Sequence, residues 1–190
     1  MIRWNWLNGP RYKGQERPSD DGFRPLASGN GARHDLTQRG PRLVKVWQVP
    51  DSTINVFFYG LFMDESLLAA KGIRPKSFKL GYVDGLRLHI GERATLLPAK
   101  DSRSYGVLME VTVNQAAGLY SDESVCDYVA EPVVVHLPND KEVAAVCYNL
   151  PASKLTGTNP RYAADLLALA TKLGLPESYL ERIRSAEELP

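Results

Sequence analysis

Ile54-Asn-Val-Phe-Phe-Tyr-Gly-Leu-Phe-Met63 is the stretch on which the fold turns. Its first six residues are rich in β-branched and aromatic side chains, a strand-forming run that Gly60 ends. Asp64 stands where a helix N-cap belongs, Leu67, Leu68 and Ala69 fill a short helix, and Gly72 and Pro75 stop it. A strand that ends in Tyr-Gly and turns into a capped helix aims several main-chain N–H groups at one place, which suits a carboxylate or phosphate. Gly60 has no Cβ, so a ligand could come close to that main chain. The plainer reading is a strand-to-helix turn without a ligand.

Working outward, Lys79 to Ile90, Ala94 to Pro98 and Ser104 to Val113 read as strands, separated by Gly91-Glu92 and by a turn at Ala99 to Arg103. A short amphipathic helix fits Gln115 to Asp122. Glu131 to Leu137 and Val143 to Leu150 then flank Pro138-Asn-Asp-Lys141 as a hairpin. Asn159 and Pro160 open a helix whose apolar face is Tyr162, Leu166, Leu169, Ala170 and Leu173, and a last helix starts near Pro176. Six strand candidates, grouped rather than alternating with the helices, predict an α+β domain whose antiparallel sheet curls into a small barrel.

The 190 residues are 44% hydrophobic and 24% charged, the balance of a folded protein. The overall charge of +1 hides an asymmetry, since residues 1–50 carry nine basic and four acidic side chains. From Asn8 to Arg42 the sequence is crowded with Gly, Pro, Ser, Asn, Asp and Arg and keeps no apolar period, so residues 1–50 are expected to be a basic, flexible arm ahead of a domain at 51–190. A tether for RNA or an acidic partner is the other reading of the arm. The near-neutral total gives no reason to expect nucleic acid or a membrane as the partner. No apolar stretch is long enough for a membrane span, and Met1-Ile-Arg-Trp4 is no signal-peptide core. Cys126 and Cys147 are too few for a disulfide scaffold, so a reduced, cytoplasmic chain is expected.

Metal and nucleotide chemistry find no support in the spacing. His34, His89 and His136 are scattered, there is no C-x-x-C pair, and neither a phosphate loop nor a dinucleotide fingerprint occurs. No metal and no cofactor are expected. Carboxylate chemistry remains, and Leu119-Tyr-Ser-Asp-Glu-Ser-Val125 supplies it at the rim of the sheet. A Glu123 pointing into a partly apolar pocket would have its pKa raised by desolvation and could shuttle a proton near neutrality. A solvated Glu123 would be a surface acid, and Asp122 could occupy the same rim position.

Taken in order, six features resemble the gamma-glutamylcyclotransferase family, including its small AIG-like bacterial members. They are Val56-Phe-Phe-Tyr-Gly60, Ala94-Thr-Leu-Leu-Pro98, Tyr105-Gly-Val-Leu108, Leu119 with Glu123, Asn159-Pro-Arg-Tyr162 and Gly174-Leu-Pro-Glu-Ser-Tyr179. The resemblance spans residues 54 to about 184. It implies a small mixed, mainly antiparallel β-barrel with flanking helices. It also implies cofactor-independent release of 5-oxoproline from a small-molecule γ-glutamyl compound, an amino acid derivative or an amine, by intramolecular aminolysis. Glu123 would then carry the proton, the main chain of Tyr59, Gly60, Leu61 and Phe62 would hold the γ-glutamyl carboxylate, and Tyr128 and Tyr162 would line the pocket. Where the family usually has Gly after the acid this chain has Ser124, and Leu61-Phe-Met63 make the turn more apolar. These departures leave a second expectation, a ligand-binding domain of the same fold without turnover.

Overall fold

The computed structural model describes residues 52–187, so the basic arm at 1–50 and the readings made of it lie outside the described residues. Among the described residues five strands are formed: β1 (Thr53–Phe58), β2 (Phe78–Ile90), β3 (Ala94–Thr112), β4 (Val129–His136) and β5 (Glu142–Asn149). Helices α1 (Glu65–Ala70), α2 (Val113–Tyr120), α3 (Pro160–Lys172) and α4 (Glu177–Glu187) flank them. No helix among the described residues is long and apolar enough to cross a membrane.

The strands follow one another around the sheet as β1-β3-β2-β4-β5. Long antiparallel ladders join β1 to β3, β2 to β3 and β4 to β5. Two short seams close the ring: an antiparallel bridge Tyr82↔His136 between β2 and β4, and a parallel bridge Val56↔Val146 between β1 and β5. The fold is therefore α+β, a strongly curled, mainly antiparallel sheet shut into a small barrel.

The six strand candidates become five because Ala94–Pro98 and Ser104–Val113 belong to one strand. Asp84 pairs with Arg103 but Leu86 pairs with Pro98, so Ala99–Ser102 bulge out of β3 while the chain keeps its direction. Asp101 lies within the bulge and Gly85 opposite it in β2, both at positive φ. The Asp84 carboxylate accepts two hydrogen bonds from Arg103, at 2.8 and 3.3 Å, and clamps its base. The helix caps fall where the sequence puts them. Asp64 accepts from the Ser66 N–H and Asn159 from the Tyr162 N–H, each at 2.9 Å. The second helix starts two residues earlier than expected, because Thr112 and Gln115 form a capping box across its first turn.

Val56, Phe57, Phe58 and Tyr59 are all buried, although alternate residues of a strand face opposite ways. One face of β1 is covered by the barrel interior and the other by helices, which is why its sequence is continuously apolar rather than alternating. Ala163, Leu166, Leu169 and Ala170 of α3 and Tyr179, Leu180 and Ile183 of α4 complete the core. Each large aliphatic side chain so buried contributes about 1.5–3 kcal/mol relative to exposure.

The two thiols have different fates. Cys126 is exposed, whereas Cys147 is fully buried, and burial, with Glu131 nearby, pushes its thiol up to about 12. Alkylation of the native protein near pH 8 is therefore expected to modify Cys126 and spare Cys147, with the second thiol reacting only in denaturant. Peptide mass spectrometry reads the outcome directly.

Candidate functional site

The end of β1 opens on a cavity of about 320 Å³. Its walls come from Phe58 to Phe62 at the β1 turn, Glu92 to Ala94 at the tip of the β2–β3 hairpin, Tyr120 at the end of α2 with Ser124, Val125 and Tyr128 beyond it, and Tyr162 on α3, with Tyr148 of β5 beside them. Of the residues singled out in the sequence, Tyr59, Gly60, Leu61, Phe62, Tyr128 and Tyr162 all meet here.

Five tyrosines give the cavity its character, and main-chain atoms hold three of them. Tyr59 donates to the Tyr148 carbonyl at 2.6 Å, and Tyr128 donates to the Ala94 carbonyl at 2.6 Å. The Tyr162 hydroxyl accepts from the Leu61 N–H, at a long 3.4 Å. Tyr120 and Tyr148 stack with ring centroids 3.6 Å apart, and Phe62 meets both Phe58 and Tyr120 edge to face. The N-cap residue Asn159 ties the parts together, since its Nδ2 donates to the Glu92 carbonyl at 3.2 Å while its Oδ1 caps α3 just ahead of Tyr162.

Gly60 is required by this packing. A Cβ built there would stand 2.6 Å from the Tyr162 hydroxyl. The missing methyl is the space the phenol uses to reach the turn.

A second hollow of about 170 Å³ adjoins the first. Glu92, Arg93, Ser124 and Tyr128 belong to both, so these four form the shared wall. Glu123 lines the second hollow, not the tyrosine cavity, and its side chain is exposed. Asp122 is engaged by partners of its own: Lys71 Nζ lies 2.7 Å from its carboxylate and the Ser124 N–H donates to it at 2.9 Å. Those bonds, Lys71 first, hold its pKa well below the usual carboxylate range. The same bonds fix the turn that carries Glu123.

Burial raises the pKa of every cavity phenol, Tyr59 and Tyr120 most strongly. At neutral pH they are uncharged hydrogen-bonding groups, and the charges on the cavity wall are those of Glu92 and Arg93. In the unfolded chain phenols and thiols ionise at their ordinary values, so between about pH 9 and 12 the unfolded state releases protons that Tyr59, Tyr120, Tyr162 and Cys147 retain when folded. Stability is thus fully present below that window and falls as pH rises through it. Urea midpoints measured near pH 8 and near pH 10.5 are expected to show the decline.

Sequence reasoning missed Glu92, Arg93, Tyr120 and Tyr148. The first two form a hairpin tip with no motif. Tyr148 reaches the site only through the β1–β5 seam, and Tyr120 follows Leu119 directly but carries no spacing signal of its own. Among the described residues no group of three or more His, Cys, Asp or Glu side chains is placed to hold a metal ion.

Residues 103–183 match the AIG2-like family. No curated protein matches the chain in sequence. Among solved structures, one titled "Gamma-glutamyl cyclotransferase" superposes with a TM-score of 0.60 at 18% identity, covering 70% of this chain and 88% of that one. An uncharacterised protein from Homo sapiens gives 0.59 at 19% identity, over 70% of this chain and 87% of its own. YkqA from Bacillus subtilis gives 0.62 at 19% identity, and there the match takes up 73% of this chain but 56% of the longer one. The family match and the shared fold agree with the resemblance read in the sequence.

Proposed function

We propose that the protein is a cyclotransferase acting on γ-glutamyl compounds. The observation that supports it most is the pairing of two adjoining hollows, one walled by neutral phenols and an open main-chain turn, the other bearing Glu123. The γ-glutamyl group would occupy the tyrosine cavity, its α-carboxylate at the main chain of Gly60 to Phe62, with its amide at the shared wall. Glu123 takes a proton from the α-ammonium, and the freed amine attacks the γ-carbonyl carbon to close the five-membered ring. As the C–N bond to the leaving group breaks, Glu123 returns its proton to the leaving nitrogen, and the extra proton on the new ring nitrogen passes to water. The products are 5-oxoproline and a free amine or amino acid. Attacking and attacked atoms belong to one molecule, so the protein contributes chiefly orientation and one proton carrier.

Incubation with γ-glutamyl dipeptides and γ-glutamyl-lysine tests the reading. 5-Oxoproline is expected, and a folded protein that releases none from any of them refutes it. Gly60→Ala is expected to lower kcat/KM by about 100-fold with little change in melting temperature, since the added methyl displaces the tip of Tyr162 rather than the core.

The exposure of Glu123 favours one alternative, a binding domain without turnover. It requires thermal stabilisation by γ-glutamyl compounds in the absence of product.

A further inference from the structure

Arg93 stands out among the cations of the described residues. It is half-buried, it lines both hollows, and its charge is felt by the phenols of Tyr128 and Tyr162. Yet among the described residues its guanidinium makes no ion pair and no hydrogen bond. Glu92, its neighbour in sequence and on the same wall, is not within ion-pair distance of it. The other cation of the second hollow, Lys154, is taken up by Asp127 at 3.2 Å. Elsewhere Arg103 is satisfied by Asp84 and Arg184 reaches Glu177. A guanidinium on a cavity wall without a counter-charge keeps donors available to an anion, and its planar fork matches a carboxylate.

On the cyclotransferase reading the γ-glutamyl α-carboxylate sits at the turn, which belongs to the tyrosine cavity alone. Arg93 lines both hollows, so a ligand that spanned them would meet it. Resting on the cyclotransferase reading above, we infer that Arg93 binds the carboxylate of the leaving group, and that the substrates are γ-glutamyl amino acids in preference to γ-glutamyl amines. Arg93 is then the specificity-determining residue. It adds nothing to the proton transfer, which stays with Glu123.

The test uses two probes that differ by one group, γ-glutamyl-alanine and γ-glutamyl-ethylamine. The wild-type protein is expected to favour the first in kcat/KM by about 10- to 100-fold, the span of a charge-assisted hydrogen bond. In Arg93→Gln the ratio is expected to fall to about one, and Arg93→Lys, which keeps the charge, to recover part of it. Equal use of both probes by the wild-type protein overturns the inference. So does an Arg93→Gln variant that is weakened on both probes with the ratio intact, because Arg93 would then hold the glutamyl end. Calorimetric titration of both probes separates this from the cyclotransferase reading. If neither probe yields 5-oxoproline, that reading fails, while tighter binding of γ-glutamyl-alanine that disappears in Arg93→Gln still upholds the carboxylate site. Equal binding of the two probes, or none, removes it.

Discussion

Glu123→Gln is expected to reduce 5-oxoproline release by a factor of about 100 to 10,000, the usual weight of a general acid–base group. The amide keeps the size of the side chain and loses the proton carrier. Because Glu123 is exposed and its turn is pinned by Asp122 through Lys71 and the Ser124 N–H, the melting temperature should stay within a degree or two of the wild type. Binding of γ-glutamyl compounds should persist, which distinguishes lost chemistry from a lost pocket. Glu92→Gln is the necessary counterpart, since Glu92 lines both hollows. If the loss follows Glu92 and spares Glu123, the shuttle belongs to the hairpin tip. Full turnover by both variants removes carboxylate catalysis from the site.

The second large effect concerns stability. Gly106 of β3 lies against β1, where a Cβ would overlap the Phe58 carbonyl oxygen and stand 2.8 Å from Cζ of Phe57. Both neighbours are buried, and the nearer one is backbone, so neither can swing away. Gly106→Ala is expected to cost about 3 kcal/mol, seen as a lower urea midpoint with unchanged slope. Gly118, in α2, has nothing within 4 Å of the equivalent position. Gly118→Ala should raise stability by up to about 1 kcal/mol through helix propensity alone. An insensitive Gly106 would mean that β1 and β3 are less tightly apposed than described. Activity should fall with Gly106→Ala as well, because β1 ends in Tyr59 and Gly60.

The pattern of these residues explains what could be read from sequence. Caps are local, so Asp64 and Asn159 announce their helices, and the Tyr59-Gly60 turn is legible because both its strand and its helix are short and punctuated. The composition Ala99-Lys-Asp-Ser-Arg103 signals a reversal as strongly as a true hairpin does. Only the pairing of Asp84 with Arg103 and Leu86 with Pro98 reveals a bulge, and pairing is non-local. The same limit applies to the site. Tyr59, Tyr128 and Tyr162 could be named from motifs, but Tyr148 arrives by strand register and Arg93 by the way a hairpin tip folds against Thr156 and Asn159. Glu123 was legible as a residue, while its position in the second hollow depends on the Lys71 bridge.

The phenols of Tyr59 and Tyr128 are anchored on peptide oxygens, and that of Tyr162 on a peptide nitrogen. Peptide oxygens are common to all residue types and the peptide N–H to all but proline, so these three anchors are not made by the side chains of positions 61, 94 and 148. Side chains at those positions could then diverge between lineages while the three phenols keep their anchors.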